Sequence, residues 1–430
     1  MHRNYSQESL LLITVFLAFI GVSVGVPIFT PLLLNSTHSI LPAIYDYKTR
    51  SLILGLLISL YPLGQFFGAP IIGRISDNYG RKPAMIYTLL GAGVGFLITA
   101  VSLHYMNIFF LMFSRLLTGI FEGNIAVARS SISDISTSAQ KYRSFGKVAA
   151  AATLGTTAGP IIGGALSDHT VWAFFNFSTP FFCAAGLLFI LVVVFKLFFV
   201  ETFMLPETRS INLIAIKQYD VISRINKLGE NSALKYFISI WLLIILTIDS
   251  FVFFLPAFLV SKWHMGPLKI SIYVALLNIW YIFGSLLLVP YLAKYLKSTQ
   301  AMMIGMALYS ISLVLMLIPQ NSYYLIPIFV LCDLASAVIL VNGFVHISNL
   351  AKNVHQGEVM GIALGVRTLG GAIAGLIGGT LIAINTSAVI FLSILLSLCV
   401  VIFLYMYNRC YLVNDPPVCF LKWERPKDPL

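Results

Sequence analysis

An arginine and a glutamate lie seven positions apart within one long apolar stretch, "LMFSRLLTGIFEGNIAV". Seven residues of an α-helix make almost two turns, so Arg115 and Glu122 share one helical face. If the stretch crosses a membrane, each ionised group costs roughly 2.5–3.5 kcal/mol and needs a functional reason. A carboxyl group that moves between dry and wet surroundings can bind and release a proton. The spacing predicts Glu122 as a proton carrier tuned by Arg115, with a fixed Arg115–Glu122 ion pair as the alternative.

Three further ionisable residues interrupt apolar stretches in the second half of the chain. Asp249 and Asp333 lie among aliphatic and aromatic residues, so they are the next candidates for proton coupling. Arg367 could pair with a carboxylate or attract an anion. All these groups need helices that hold them inside an apolar environment.

The composition indicates that this environment is a membrane. Of the 430 residues, 59% are hydrophobic and 10% are charged, and the mean hydropathy is +0.91. Soluble domains carry about 25% charged residues. Apolar stretches of about 20 residues can cross a hydrocarbon core of about 30 Å, and in lipid they must be helical. The sequence predicts an all-α membrane protein with twelve transmembrane helices, near residues 9–34, 50–73, 84–103, 107–129, 144–167, 177–200, 235–260, 269–292, 299–318, 322–348, 357–384 and 387–408.

The distribution of positive charge predicts the orientation of these spans. The net charge is +11, and no basic soluble domain is present that would suggest nucleic-acid binding. With the N-terminus inside, the outer loops hold only four cations, namely Lys48, Arg50, Lys262 and Lys269. Cytoplasmic loops carry the excess of Lys and Arg in membrane proteins. We therefore expect both termini to be cytoplasmic and the surrounding partner to be the lipid bilayer.

The longest polar interruption, residues 201–234, divides the chain into two sets of six spans. The predicted organisation is an N-terminal six-helix bundle at 1–205, a cytoplasmic linker at 206–234, a C-terminal six-helix bundle at 235–408 and a cytoplasmic tail at 409–430. The linker is either an interfacial helix or an ordinary polar connection.

Two glycine-rich spans resemble each other at a distance of half the chain. "FGKVAAAATLGTTAGPIIGGAL" begins at Phe145, and "MGIALGVRTLGGAIAGLIGGTL" begins at Met360, 215 residues later. Parallel repeats that enclose a substrate near the membrane midplane are a transporter architecture. The repeat therefore favours a transporter.

The polar stretch after the second span, "GRISDNYGRKP", resembles the signature loop of the major facilitator superfamily. Its matching residues are Gly73, Asp77, Gly80 and Arg81. The resemblance implies two contacts that close the cytoplasmic side, one between Arg81 and Asp134 and one between Asp77 and the N-terminus of the helix that starts near Gly357. Glycines at 73 and 80 would permit a tight turn.

The fifth span resembles the motif of the drug:proton antiporters in this superfamily, which include tetracycline and multidrug efflux pumps. The matching residues are Gly146, Gly155, Gly159, Pro160, Gly163 and Gly164. The fourth span, with Arg115, Gly119 and Gly123, is similar to the same group. Small residues let helix backbones approach closely, so we expect a tight contact that seals spans 5 and 8. The family often has an acid in span 1, which is absent between Leu10 and Leu34 here.

Amide and aromatic side chains in several spans are candidates for a substrate cavity suited to an amphipathic or aromatic compound. These candidates are Tyr61, Gln65, Asn124, Phe254, Asn278, Trp280, Tyr281 and Arg367.

Together these features predict a monomeric secondary transporter in the cell membrane (the inner membrane in a Gram-negative bacterium). It would exchange protons for a small amphipathic or aromatic molecule, without a metal or cofactor. A proton-coupled importer or exporter of a metabolite or siderophore is the main alternative. A membrane enzyme or a receptor is the remaining alternative, which the sequence disfavours because it has no HExxH, GxSxG or Walker motif and no large soluble segment.

Overall fold

The computed structural model describes residues 2–34, 40–135, 141–202, 232–350 and 356–412, and these residues fold into helices joined by short connections. Within these described ranges, twelve spans are long and apolar enough to cross a membrane, which confirms the predicted number. The α-helices are α1 His2–Ser23, α2 Val26–Leu34, α3 Tyr47–Tyr79, α4 Arg81–His104, α5 Ile108–Phe121, α6 Asn124–Ile135, α7 Lys141–Leu166, α8 Thr179–Phe198, α9 Ser232–Trp263, α10 Pro267–Phe283, α11 Val289–Leu292, α12 Ser298–Met316, α13 Leu325–Leu350, α14 Gln356–Ile382 and α15 Ala388–Tyr407.

Three of the predicted continuous spans are interrupted. Span 1 consists of α1 and α2, span 4 of α5 and α6, and span 8 of α10, a π-helical turn at Gly284–Leu288 and α11. The remaining spans follow the other helices in chain order. Average hydropathy did not predict the interruptions: those in spans 1 and 8 occur among apolar residues and glycines, and the break at Glu122 and Gly123 in span 4 falls inside a stretch that is apolar on average. Most of the predicted linker and tail lies outside the described residues.

Side chains of the first six spans form one buried core and those of the last six form another. Phe181 and Phe195 are fully buried in the first core, and Trp241 and Tyr309 are buried in the second. A few residues of spans 7, 11 and 12 join the first core. The two cores therefore meet along a contact surface, called here the seam.

The seam between spans 2 and 11 is closed at the end far from the signature loop. A Cβ atom added to Gly55 would lie 2.5 Å from the Cα atom of Gly379, so the two backbones touch. One turn further along span 2, Ser59 meets Gly375 in the same way, with 2.9 Å between the Ser59 Cβ atom and an added Cβ. Each step of four residues along span 2 is thus matched by a step of four back along span 11.

Spans 5 and 8, which correspond to spans 11 and 2 in the internal repeat, also touch at this end. A Cβ atom on Gly164 would lie 2.8 Å from the Cβ atom of Ser271. Nearer the middle of the membrane, the Asn278 amide donates to the Thr156 carbonyl at 3.2 Å. Gly164 and Gly379 occupy equivalent positions in the two glycine-rich spans, so the two seam contacts reflect the internal repeat.

At the opposite end, near the signature loop, the seam is open. Added Cβ atoms on Gly73, Gly146 and Gly361 would meet nothing within 4 Å in the described part of the chain. These three glycines lie on spans 2, 5 and 11, the same spans that touch at the closed end. The structure is therefore closed at one end of the seam and open at the other.

The prediction that the span 5 glycines pack against span 8 was wrong for three of them. Gly155, Gly159 and Gly163 pack against span 1, where an added Cβ on Gly155 would lie 2.5 Å from the Phe16 carbonyl oxygen. Only Gly164 faces span 8, and the helix continues through Pro160. A glycine stripe predicts close approach, but a single sequence does not reveal which neighbour approaches.

We expect Gly55→Val to lower the stability of the protein, because the added side chain would meet the backbone of span 11 rather than a movable side chain. Overpacking of this kind costs roughly 1–3 kcal/mol. The measurement is the melting temperature of the purified protein in detergent, with Gly186→Val as the matched control, since nothing lies within 4 Å of an added Cβ there. Equal melting temperatures for the two variants would contradict the described packing.

Candidate functional site

Arg115 is buried between two aromatic rings and forms no direct ion pair with a carboxylate among the described residues. Its guanidinium carbon lies 5.0 Å from the ring centre of Phe29 on span 1 and 4.8 Å from that of Tyr61 on span 2. Cations are attracted to aromatic faces at such distances, and more strongly when they are removed from water. The two rings thus offset part of the cost of burying the arginine, and they connect spans 1, 2 and 4.

Glu122 lies at the break in span 4. The helix α5 ends at Phe121 and α6 begins at Asn124, so Glu122 and Gly123 form the connection between them. An added Cβ on Gly123 would lie 2.7 Å from Ile72 of span 2, and a larger residue would push the two spans apart. Broken helices are a recurrent feature of transporter binding sites.

Glu122 is 2% exposed, and its Oε1 atom has no hydrogen-bond partner among the described residues. Both amide atoms of Asn124 and the Nε atom of Arg115 are likewise buried without a partner there. No direct Arg115–Glu122 ion pair forms; Tyr61 of span 2 lies within hydrogen-bonding reach of the carboxyl group, and Arg115 interacts with it electrostatically. Buried polar groups are normally satisfied, so an unsatisfied cluster points to a proton, water or substrate as the missing partner.

The two acids of the second half lie in different surroundings. Asp249 is half-buried at the seam, where an added Cβ on Gly371 would lie 3.2 Å from its Oδ2 atom and 3.6 Å from Pro62 of span 2. Its electrostatic partner is Arg367. Asp333 is buried inside the second core, and the Ser336 hydroxyl donates to its Oδ1 atom at 3.4 Å. Asp249 is therefore better placed than Asp333 to exchange a proton with the open seam.

The predicted cavity residues lie in four different kinds of surroundings. Tyr61, Gln65, Trp280 and Tyr281 are half-buried, whereas Asn124 is fully buried at the break in span 4. Asn278 bonds to span 5 across the seam, so its amide already has a partner in this arrangement. Phe254 is buried against Gly378 and belongs to the seam packing instead of a cavity wall.

The signature stretch is mostly helical. We expected a loop from Gly73, but span 2 continues to Tyr79, span 3 starts at Arg81, and only Gly80 separates them. Gly80 has φ of +101°, a conformation that favours glycine, whereas Gly73 lies inside the helix. The turn prediction is therefore correct for Gly80 and wrong for Gly73.

The predicted pair between Arg81 and Asp134 is present. The Arg81 Nε atom donates to Asp134 Oδ2 at 2.8 Å, and its Nη1 atom donates to Asp77 Oδ1 at 2.5 Å and to Ser76 Oγ at 2.9 Å. Arg81 is buried, and these hydrogen bonds join the ends of spans 2, 3 and 4 within the first bundle.

The second predicted contact, between Asp77 and the N-terminus of span 11, involves residues near Gly357 whose side chains lie outside the described part of the chain, so it stays a prediction. The Asp77 side chain is 63% exposed, and Arg81 is its recorded partner within the described ranges. The Asp77 carboxylate thus faces solvent.

The sequence did not reveal the residues whose hydrogen bonds fix the signature turn in place. The backbone amides of Arg81 and Lys82 donate to the Glu201 carboxylate at 2.8 and 3.0 Å, so Glu201 caps the N-terminus of span 3. Gln7 of span 1 bonds Phe198 O and Val200 N at 3.1 and 3.0 Å, which fixes the chain just before Glu201. These hydrogen bonds join residues 119 to 193 positions apart, a separation that local sequence patterns do not reveal.

Twelve membrane-spanning helices in two packed halves, with a seam closed at one end, define the class of secondary transporters. The sequence matches the Major Facilitator Superfamily over residues 11–218 and 237–418, and the chain belongs to this family. It is accordingly a multi-pass membrane protein, and the resemblance stated from its motifs is confirmed.

Individual relatives agree with this assignment. The chain is 36% identical over 199 residues to the class H tetracycline resistance protein of Pasteurella multocida, a match that covers 46% of this chain and 45% of that protein. It is 25% identical over 387 residues to multidrug resistance protein 2 of Bacillus subtilis (strain 168), covering 87% and 88%. Its fold is similar to that of a bacterial homologue of the human lysosomal transporter Spinster in an inward-facing, unoccupied conformation. The TM-score is 0.74 at 13% identity, and the match covers 95% of this chain and 98% of that chain. The chain thus spans less than half the length of the first of these relatives.

We expect Glu201→Ala to loosen the first turn of span 3, because two backbone amides lose their acceptor. Loss of a helix cap costs about 1 kcal/mol. Hydrogen exchange at the amides of Arg81 and Lys82 should become faster in this variant, whereas Glu201→Gln, which keeps one acceptor oxygen, should show a smaller change. Unchanged exchange in Glu201→Ala would mean that the cap does not exist in the membrane.

Proposed function

We propose that the protein is a proton-coupled exporter of a small amphipathic or aromatic compound, which works by alternating access. The observation that carries this proposal is the seam, closed at one end and open at the other, beside a broken helix where the buried Glu122 has one carboxyl oxygen, Oε1, without a hydrogen-bond partner among the described residues. The antiporter pattern of span 5 and the names of the tetracycline and multidrug resistance relatives favour export. With the orientation proposed from the charge distribution, the open end faces the cytoplasm.

The register of the seam supports a defined closing motion. If the match between Gly55 and Gly379 and between Ser59 and Gly375 continues along both helices, Gly73 lies opposite Gly361 and Asp77 opposite Gly357. Helix N-termini attract carboxylates. Rocking of the first bundle against the second would therefore close the inner seam and bring Asp77 to the start of span 11, the contact that the family resemblance implies.

Proton entry from outside would neutralise Glu122 when the seam opens outward, and release to the cytoplasm would restore its charge. Each charge that crosses the membrane potential contributes about 2.3 kcal/mol per 100 mV. Asp249 is the second candidate for carrying the proton, because it lies at the seam beside Arg367.

Transport of a metabolite or siderophore remains the second candidate function, since the same seam and carboxyl groups would serve it.

We expect Glu122→Gln to abolish uphill transport driven by a proton gradient, because the amide cannot take up a proton. Proteoliposomes with a pH gradient and a panel of amphipathic dyes provide the measurement, and facilitated exchange without a gradient should persist. The control is Asp46→Asn, which removes an exposed acid but keeps its capping role at span 2. Undiminished uphill transport in Glu122→Gln would remove this residue from the mechanism.

A pair of cysteines at Gly73 and Gly361 should report the inner seam. In a background without native cysteines, we expect little cross-linking in the open arrangement and at least a severalfold increase when the inner seam closes during turnover. Cysteines at Ser261 and Thr386, whose hydroxyl oxygens are 3.0 Å apart within the second bundle, should cross-link to the same extent throughout. Constant cross-linking of the first pair would rule out the proposed closure.

A further inference from the structure

An apolar groove lies on the surface of the second bundle, between spans 8 and 10. It encloses about 390 Å³ and is lined by Phe283, Leu287, Leu288 and Tyr291 of span 8 and by Leu334 of span 10. This space is called here the span 8 groove. Its volume falls within the range of ligand sites in proteins, about 300–1,000 Å³, so it can hold part of an apolar molecule.

The groove coincides with the π-helical turn of span 8 at Gly284–Leu288. At the start of this turn the two spans touch, since an added Cβ on Gly284 would lie 2.7 Å from the Cβ atom of Ala337. Beyond its end they pack again, where Val289 and Val338 share a small buried core. Between these two contacts the wider turn leaves Leu287 65% exposed. Such π-helical turns are frequent at functional sites.

The groove leads toward two lysines at the end of span 8. Phe283, Leu287 and Tyr291 follow one another at four-residue steps, which cover about 12 Å along a helix. A further helical turn continues from there, because the Lys294 amide donates to the Tyr291 carbonyl at 3.2 Å. Lys294 and Lys297 are exposed and are the only charged residues between positions 283 and 300. The apolar groove therefore ends beside positive charge.

The aromatic residues at this end place it at the level of a membrane interface. Tyr291 and Tyr295 are 57% and 71% exposed, and their ring centres are 5.4 Å apart. Tyrosine is enriched where the hydrocarbon core meets the lipid headgroups. Span 8 runs in the same direction as span 2, so Lys294 lies on the side of the signature turn. The groove thus faces the hydrocarbon core, and the lysines face the headgroups.

We propose that the span 8 groove binds an acyl chain of an anionic phospholipid, whose phosphate group contacts Lys294. An ammonium group binds phosphate as a point charge, and basic residues beside a span attract anionic lipids. Lys297 adds a second positive charge at the same level. The occupant is a lipid because the groove takes a hydrocarbon chain while the lysines take the headgroup. This lipid site does not depend on the direction or substrate of transport.

Native mass spectrometry of the purified full-length protein tests the headgroup contact. With dioleoyl phosphatidylglycerol and dioleoyl phosphatidylcholine, whose chains are identical, we expect the wild type to retain the anionic lipid severalfold more. Lys294→Gln should lower this retention about fivefold, the effect of one basic residue near an anionic lipid surface. Lys196→Gln is the matched control, since Lys196 is an exposed cation in the last turn of span 6 on the same side of the membrane.

A second pair of variants tests the groove itself. Leu287→Trp fills the groove and should lower retention of phosphatidylglycerol severalfold. Leu286→Trp, at a neighbouring position that is 64% exposed but does not line the groove, should leave retention unchanged. If Leu287→Trp does not fold, Leu287→Ala, which removes part of the groove wall, should lower retention in the same direction.

Equal retention of the two lipids by the wild type would overturn the proposal, as would unchanged retention in Lys294→Gln. A loss in Lys294→Gln without a loss at position 287 would show a headgroup contact outside the groove and contradict the site. Competition by glycerol 1-phosphate, which has no acyl chain, would assign the lysines to a soluble phosphate instead. A dimer that becomes monomeric in Leu287→Trp, with lipid retention unchanged, would assign the groove to a second copy of the chain.

Discussion

Backbone contact between spans 2 and 11 is the interaction on which the remaining arrangement depends. Lipid tails are as apolar as the side chains that face them, so helices in a membrane associate through close packing rather than through hydrophobic burial. Gly55 and Gly379 bring the two backbones together, and Gly164 with Ser271 repeats this contact between spans 5 and 8. Because both contacts lie at one end, the bundles are joined there and separated at the other.

The open end explains where the ionisable residues lie. Asp249 and Arg367 are half-buried on spans 7 and 11, and Glu122 is buried at the helix break in span 4, beside the seam. Arg115 is also buried, between Phe29 and Tyr61, and the two rings add to the electrostatic attraction of Glu122 in stabilising its charge. Because Glu122 forms no direct ion pair within the described residues, it can change its protonation without breaking one.

Sequence patterns predicted those parts of the structure that depend on composition and on local spacing. The twelve spans follow from hydropathy, and the Arg81–Asp134 pair followed from the family resemblance. The breaks in spans 1 and 4 and the extension of span 2 to Tyr79 were missed, because apolar content does not define where a helix ends. The partners of Gly155 and the cap from Glu201 depend on tertiary contacts across more than 100 residues, which one sequence does not encode in a readable pattern.

The contacts of the signature turn differ in strength, and this difference suits a transport cycle. Arg81 is fixed inside the first bundle by Asp134, Ser76 and the cap from Glu201, so the signature turn moves as part of that bundle. Asp77 remains exposed, and a carboxylate at a helix N-terminus contributes only about 0.3–1 kcal/mol. A contact of that size can bias the inner seam toward closure without trapping it, whereas burial of the same acid in a strong ion pair between the bundles would cost several kcal/mol to reverse in every cycle. The weakness of the proposed Asp77 contact is therefore what allows the inner seam to reopen.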